Sequence, residues 1–107
     1  MASSQADRDR ISGWTLASDR SVVARAVAED FDLDLRPGLA GISTPITLLY
    51  PDYGPLGAPP GSADARYTGA YAPLPKITIK RIDKSLHFVM YDQPQAFADA
   101  LDAFLAQ

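Results

Sequence analysis

A small α/β fold is predicted by three features of this 107-residue sequence. Apolar residues recur at helical spacing near both ends, at Val23, Val27 and Phe31 and again at Phe97, Leu101, Phe104 and Leu105. Two short β-favouring runs, Ile46 to Tyr50 and Lys76 to Ile82, lie between them. A further helical stretch separates the two runs. The order is therefore helix, strand, helix, strand, helix, with two parallel strands joined by a right-handed crossover.

The first helix is expected from Ser18 onward. Val22 and Ala26 join Val23, Val27 and Phe31 on one side, and Arg20, Arg25 and Glu29 fall elsewhere. Ser18 or Asp19 can cap it by accepting from an unpaired first-turn N–H, and Pro37-Gly38 lies well beyond its end. Thr44-Pro45 leads into Ile46-Thr47-Leu48-Leu49-Tyr50, which has the pattern of a strand covered on both faces and is stopped by Pro51. Pro51 to Gly61 holds four prolines and three glycines, too many for a regular element, so a surface loop is expected. Ser62 to Tyr71 reads as a helix capped by Ser62 and ended by Pro73 and Pro75.

In Lys76 to Ile82, Ile77 and Ile79 face one way and Thr78 and Lys80 the other, as in an edge strand guarded by Lys80 and Arg81. The last helix follows Asp92-Gln93-Pro94, a start signal with a capping acid and a proline at the first helical position. Ile46 to Tyr50 reads as an interior strand whose second neighbour is not encoded here. A row of backbone N–H and C=O groups is then left open.

The apolar fraction of 47% and charged fraction of 21% argue against disorder. A net charge of −3 gives no general attraction for nucleic acid or an anionic membrane. With no cysteine, disulfides, thiolate metal sites and cysteine nucleophiles are excluded. The N-terminus lacks the apolar core of a signal peptide, and no run of eighteen apolar residues follows. The expectation is a soluble, by default cytoplasmic, chain with no cofactor. There is no internal repeat and no dividing linker, so residues 1–107 read as one unit.

His87 is the only histidine, and it follows the second strand closely. Asp52 holds the corresponding place after the first strand. In open α/β sheets the loops at strand C-termini face a common crevice, so the two side chains can meet there. A carboxylate that accepts from imidazole Nδ1 fixes the tautomer and leaves Nε2 to take a proton from a hydroxyl nucleophile.

The segment Ser85 to Leu105, SLHFVMYDQPQAFADALDAFL, resembles the end of α/β-hydrolases of the esterase and lipase type. There a histidine-phenylalanine pair is followed by a Gln-Pro helix start and a final amphipathic helix. Thr44 to Tyr50 is similar to the family's penultimate strand, which is entered through a proline and followed by the catalytic acid. The upstream GWTLASDRSVVARAVAEDFDLDLRPGLAGI resembles the helical stretch leading back from the cap region. On this resemblance, residues 1–40 correspond to the end of a cap region and 41–107 to the C-terminal βαβα part of the core, a partial α/β-hydrolase fold. The resemblance implies a triad in chain order serine, acid, histidine, with His87 as general base and Asp52 as the acid. The serine of such a triad sits on a G-x-S-x-G elbow, which this sequence lacks: Gly41-Ile42-Ser43-Thr44-Pro45 fails at its last position and Ser12-Gly13 does not fit.

Other polar residues have plainer readings. Asp64 falls in a predicted helix on a solvated face, and Asp92 reads as a helix cap. Asp30, Asp32 and Asp34 have the spacing that opens a calcium loop, but Leu35 stands where glycine is needed and Gly41 where glutamate is needed. Tyr50, Tyr53, Tyr67 and Tyr71 are expected in the core or at its rim. Trp14 meets a substrate only if its segment is part of a cap, and Phe88 and Met90 are expected to pack under the last helix.

The first expectation is thus a C-terminal portion of a hydrolase for an ester-like or related acyl substrate, inactive alone for want of a nucleophile. Its partner is the rest of its own fold. The alternative is a small non-catalytic α/β protein that self-associates or binds a partner through its open strand edge.

Overall fold

The computed structural model describes residues 1–106. Helix α1 (Gln5–Ala17) is started by Ser4, whose hydroxyl accepts from the Asp7 N–H at 3.1 Å. It ends where the Ser18 hydroxyl and N–H both turn back to the Trp14 carbonyl. Asp19 then caps α2 (Arg20–Asp32), with Oδ1 accepting from the Ser21 and Val22 N–H groups at 2.8 and 3.1 Å. Of the two caps expected there, Asp19 is the one used. A 3₁₀ segment, Arg36–Gly41, follows.

Strands β1 (Ile46–Pro51) and β2 (Ile77–Ile82) form a two-stranded parallel sheet in the register Ile46 with Ile77 through Pro51 with Ile82. A 3₁₀ turn, Gly54–Leu56, and helix α3 (Asp64–Tyr71) lie between them. A short helix α4 (Val89–Asp92) and the final helix α5 (Pro94–Leu105) complete the chain. Helices and a parallel pair of strands in this order make an α/β architecture.

Three local expectations are corrected. Ser62 does not cap α3, which begins two residues later with Ala63 at the cap and no side-chain bond. Asp92 does not cap α5. Pro94 does stand in its first turn, but the Asp92 carboxylate accepts from the Leu86 N–H and from Ser3 instead. Strand β1 is not covered on both faces, because Ile46 to Leu49 are only half-buried.

Burial rises toward the C-terminal ends of both strands. Tyr50 and Pro51 end β1 and Ile82 ends β2, and all three are buried. Leu86 and Val89, in the segment just after β2, are buried as well, and so are Ala63, Leu74 and Ala100. The most deeply buried part of the sheet is thus the end where the site loops emerge. On the Ile46/Leu48/Tyr50 side of β1, the Tyr50 ring stacks on Tyr67 with centroids 4.6 Å apart. Its hydroxyl donates to Asp64 at 2.8 Å, and Arg81 grips the other oxygen of Asp64 at 2.9 Å. Asp64 is therefore not a free surface acid but the link that ties α3 to both strands.

Large apolar areas are left open. Helix α2 has the amphipathic stripe expected of it, yet Phe31 is 87% exposed and Val27 49% exposed, and none of its residues is buried. The accessible surface is 7592 Å², whereas a compact monomer of this mass exposes roughly 5,800 Å². The radius of gyration is 15.7 Å, against about 13 Å for a compact domain of this length.

A mutational contrast follows from this distribution. Ile82→Ala should lower unfolding stability by about 2–4 kcal/mol in urea titrations. Phe31→Ser should change it by less than about 0.5 kcal/mol, since an exposed side chain loses no burial. A large loss for Phe31→Ser would mean that α2 is packed on something in solution.

Candidate functional site

The site is built from two loops that leave the same end of the sheet. After β1, Tyr53 adopts a left-handed conformation with φ 57°, turning the chain back over the strand end. After β2, Lys84 does the same with φ 57°. The two turns interlock: the Tyr53 N–H donates to the Ser85 carbonyl at 3.1 Å, and the Ser85 N–H donates to Asp52 Oδ1 at 3.2 Å. Asp52 Oδ1 also accepts from the Gly54 N–H at 2.9 Å. Glycine suits position 54 because a Cβ there would stand 3.0 Å from Asp52 Oδ2. Ser85 is fully buried, and its hydroxyl donates to the Ile82 carbonyl at 2.5 Å.

His87 lies between two anchored neighbours. The Leu86 N–H donates to Asp92 Oδ2 at 2.7 Å, and the Phe88 N–H donates to the Met1 carbonyl at 3.1 Å. The Ser3 N–H and hydroxyl hold the other oxygen of Asp92 at 2.7 and 2.8 Å. The backbone on both sides of His87 is thereby fixed, while its ring is exposed and meets Phe88 edge-on with centroids 5.2 Å apart. The ring stands at an open groove of about 460 Å³. Thr47 and Leu49 of β1 form one wall, and Phe97, Leu101 and Phe104 of α5 form the other. His87 is the one titratable residue in this lining.

Asp52 and His87 thus emerge from one end of the sheet, but they do not hydrogen-bond to each other among the described residues. Asp52 instead binds the loop that leads to His87. Burial pushes its pKa up. The N–H groups of Lys84, Gly54 and Ser85, with the charge of Arg81, outweigh that and hold it below the usual carboxylate value. Burial also raises Asp92, and the Ser3 and Leu86 donors again bring it below its ordinary value.

Several residues take places that sequence patterns did not reveal. Ser85, Asp92 and Ser3 shape the histidine loop. Trp14 leans toward Tyr91 at 6.2 Å, stays half-exposed and is not among the groove-lining residues. Phe88 is half-buried, and Met90, 41% exposed, lines the groove rather than packing under α5. Asp34 is bound by the Arg36 side chain at 2.7 Å, and that bond, with the Arg36 N–H, holds it down to about 2. No group of three metal-ligating side chains occurs among the described residues. Nor is any helix among them long and apolar enough to cross a membrane.

Comparison with known protein families, curated proteins and solved structures finds no match to this chain. The candidate site therefore stands on its geometry and on the residue pattern.

Two measurements test the loop network. Asp92→Ala strands the N–H of buried Leu86 and should cost about 1–3 kcal/mol in chemical denaturation. Asp52 and Asp92 have folded pKa values below their unfolded value of 3.8, so the unfolded chain binds more protons in that range. Their stabilisation is complete above the unfolded value and disappears as pH falls through the folded values. Thermal stability should therefore drop on acidification below about pH 4, and less steeply in Asp52→Asn.

Proposed function

We propose that this chain carries the acid–base part of an acyl hydrolase, with His87 as general base and Asp52 as its orienting acid. The observation that carries the reading is the shared origin of the two residues. Each follows a parallel neighbouring strand at its C-terminal end, and hydrogen bonds between Asp52, Tyr53 and Ser85 lock the two loops together. The resemblance of Ser85 to Leu105 to the end of esterase- and lipase-type α/β-hydrolases supports the same roles.

In this reading, His87 Nε2 takes the proton of a hydroxyl nucleophile as that oxygen attacks the acyl carbon of an ester-like substrate. The carbon–oxygen bond to the leaving group breaks, and the imidazolium returns the proton to the departing alcohol. Water then repeats the sequence on the acyl-enzyme and releases the acid. The nucleophile has to come from a polypeptide surface outside these residues. Ser85 is buried and committed to Ile82, and no serine lines the groove at His87. Exposed His87 and the apolar groove beside it are what such a surface would cover.

The reading is tested by reading the coding DNA upstream of Met1 and by assays with a short activated ester. An in-frame G-x-S-x-G is expected, with no turnover by the 107-residue chain alone. In the protein that contains both parts, His87→Ala should lower kcat by about 10⁴-fold or more. Absence of an upstream elbow, or serine-dependent turnover by the chain alone, overturns the assignment.

A further inference from the structure

Helix α2 carries its charges in an order that its own chain does not use. Arg20 and Arg25 stand in the first half and Glu29, Asp30 and Asp32 in the second, the reverse of what the helix dipole favours. None of the five forms an ion pair among the described residues. Along one face, Arg20, Val23, Val27 and Asp30 follow one another at steps of three, four and three, so two valines lie between a cation and an anion on a single stripe. Every residue of this helix is exposed, and none of them lines the groove at His87.

We propose that two copies of this chain pair through α2, antiparallel about a two-fold axis at the level of Arg25. In that register Arg20 of each copy faces Asp30 of the other, and Val23 of each faces Val27 of the other. The stripe is complementary to itself only when reversed, since a parallel pair sets Arg20 on Arg20 and Asp30 on Asp30. Ala24 and Ala26 flank the valines and are small enough for the helices to come close. Arg25 lies on the opposite face, away from its counterpart. Reversal also places the acidic half of each helix beside the basic half of the other, so the charge order that is unfavourable in one helix is compensated by its neighbour.

Exposed apolar surface lies where this contact needs it. Most of the large apolar side chains left open fall between Trp14 and Ile42, with Val22, Val27 and Phe31 on α2 itself. A cation and an anion at the two ends of one short apolar stripe select a surface with the same order reversed, which a second copy supplies. One helix from each copy makes a small interface, so the dimer is weak and forms with rising concentration. In dilute solution the chains separate, and the small effect expected of Phe31→Ser on unfolding is unaltered. The contact leaves the groove at His87 uncovered, so it holds whether or not that groove receives a nucleophile-bearing surface.

The test is sedimentation equilibrium of the purified chain at concentrations up to about 1 mM, where a weak interface is still populated. A monomer–dimer equilibrium that ends at twice 11.5 kDa is expected. Arg20→Glu and Asp30→Arg, made singly, should each raise the dissociation constant about tenfold, because like charges then meet twice per dimer. Made together, they should restore it to within about threefold. Either single change gives α2 a charge order that its dipole prefers, so weaker pairing does not arise from a weaker helix. A monomer at every concentration, an open-ended series of oligomers, single reversals that leave the dimer intact, or a double reversal that fails to restore it would each overturn the proposal.

Discussion

Asp52 and Ser85 join the two loops on which the ordered part of this molecule depends. Two parallel strands alone make a weak sheet, because their neighbours supply only half of the backbone partners each strand can use. Here the pair is closed at its C-terminal end, where Tyr53 donates to Ser85 and Ser85 donates to Asp52. Tyr50, Ile82, Leu86 and Val89, all buried, lie at or just beyond this end of the two strands. The closure also fixes the path of the chain into His87. Stability and site geometry therefore share the same hydrogen bonds.

The open helical surfaces follow from what those buried residues do not cover. Helices α1 and α2 are well capped and locally sound, yet neither buries a single side chain. Their helical form comes from capping and sequence propensity, which can define an element without packing it. The groove between β1 and α5 shows the same imbalance, with apolar side chains on both walls and open space between them. A chain built this way gains most of its remaining hydrophobic stabilisation from whatever surface meets it.

The local elements were largely legible. The α2 stripe, the alternation of β2, the proline-bounded β1 and the strong apolar period of α5 all have one-dimensional signatures, and each element lies within about two residues of its expected place. Long-range polar contacts had no such signature. Asp92 carries the appearance of a helix cap, but Leu86 and Ser3 are nearer donors in space. Asp64 has the pattern of a surface residue, although Tyr50 and Arg81 approach it from two strands. For Asp52 the sequence pointed to the correct end of the sheet without revealing that backbone N–H groups would claim its carboxylate.

By itself, then, the sequence determined the order of α2, β1, α3, β2 and α5, the parallel pairing of two short strands and the placing of His87 and Asp52 after them, whereas helices α1 and α4 were not among the expected elements. These depend on side-chain period, prolines and turn residues, which act over a few neighbouring positions. Only the tertiary structure decided which donors each carboxylate meets and which apolar faces stay open. Those outcomes depend on distances between segments far apart in the chain, and no local preference encodes them.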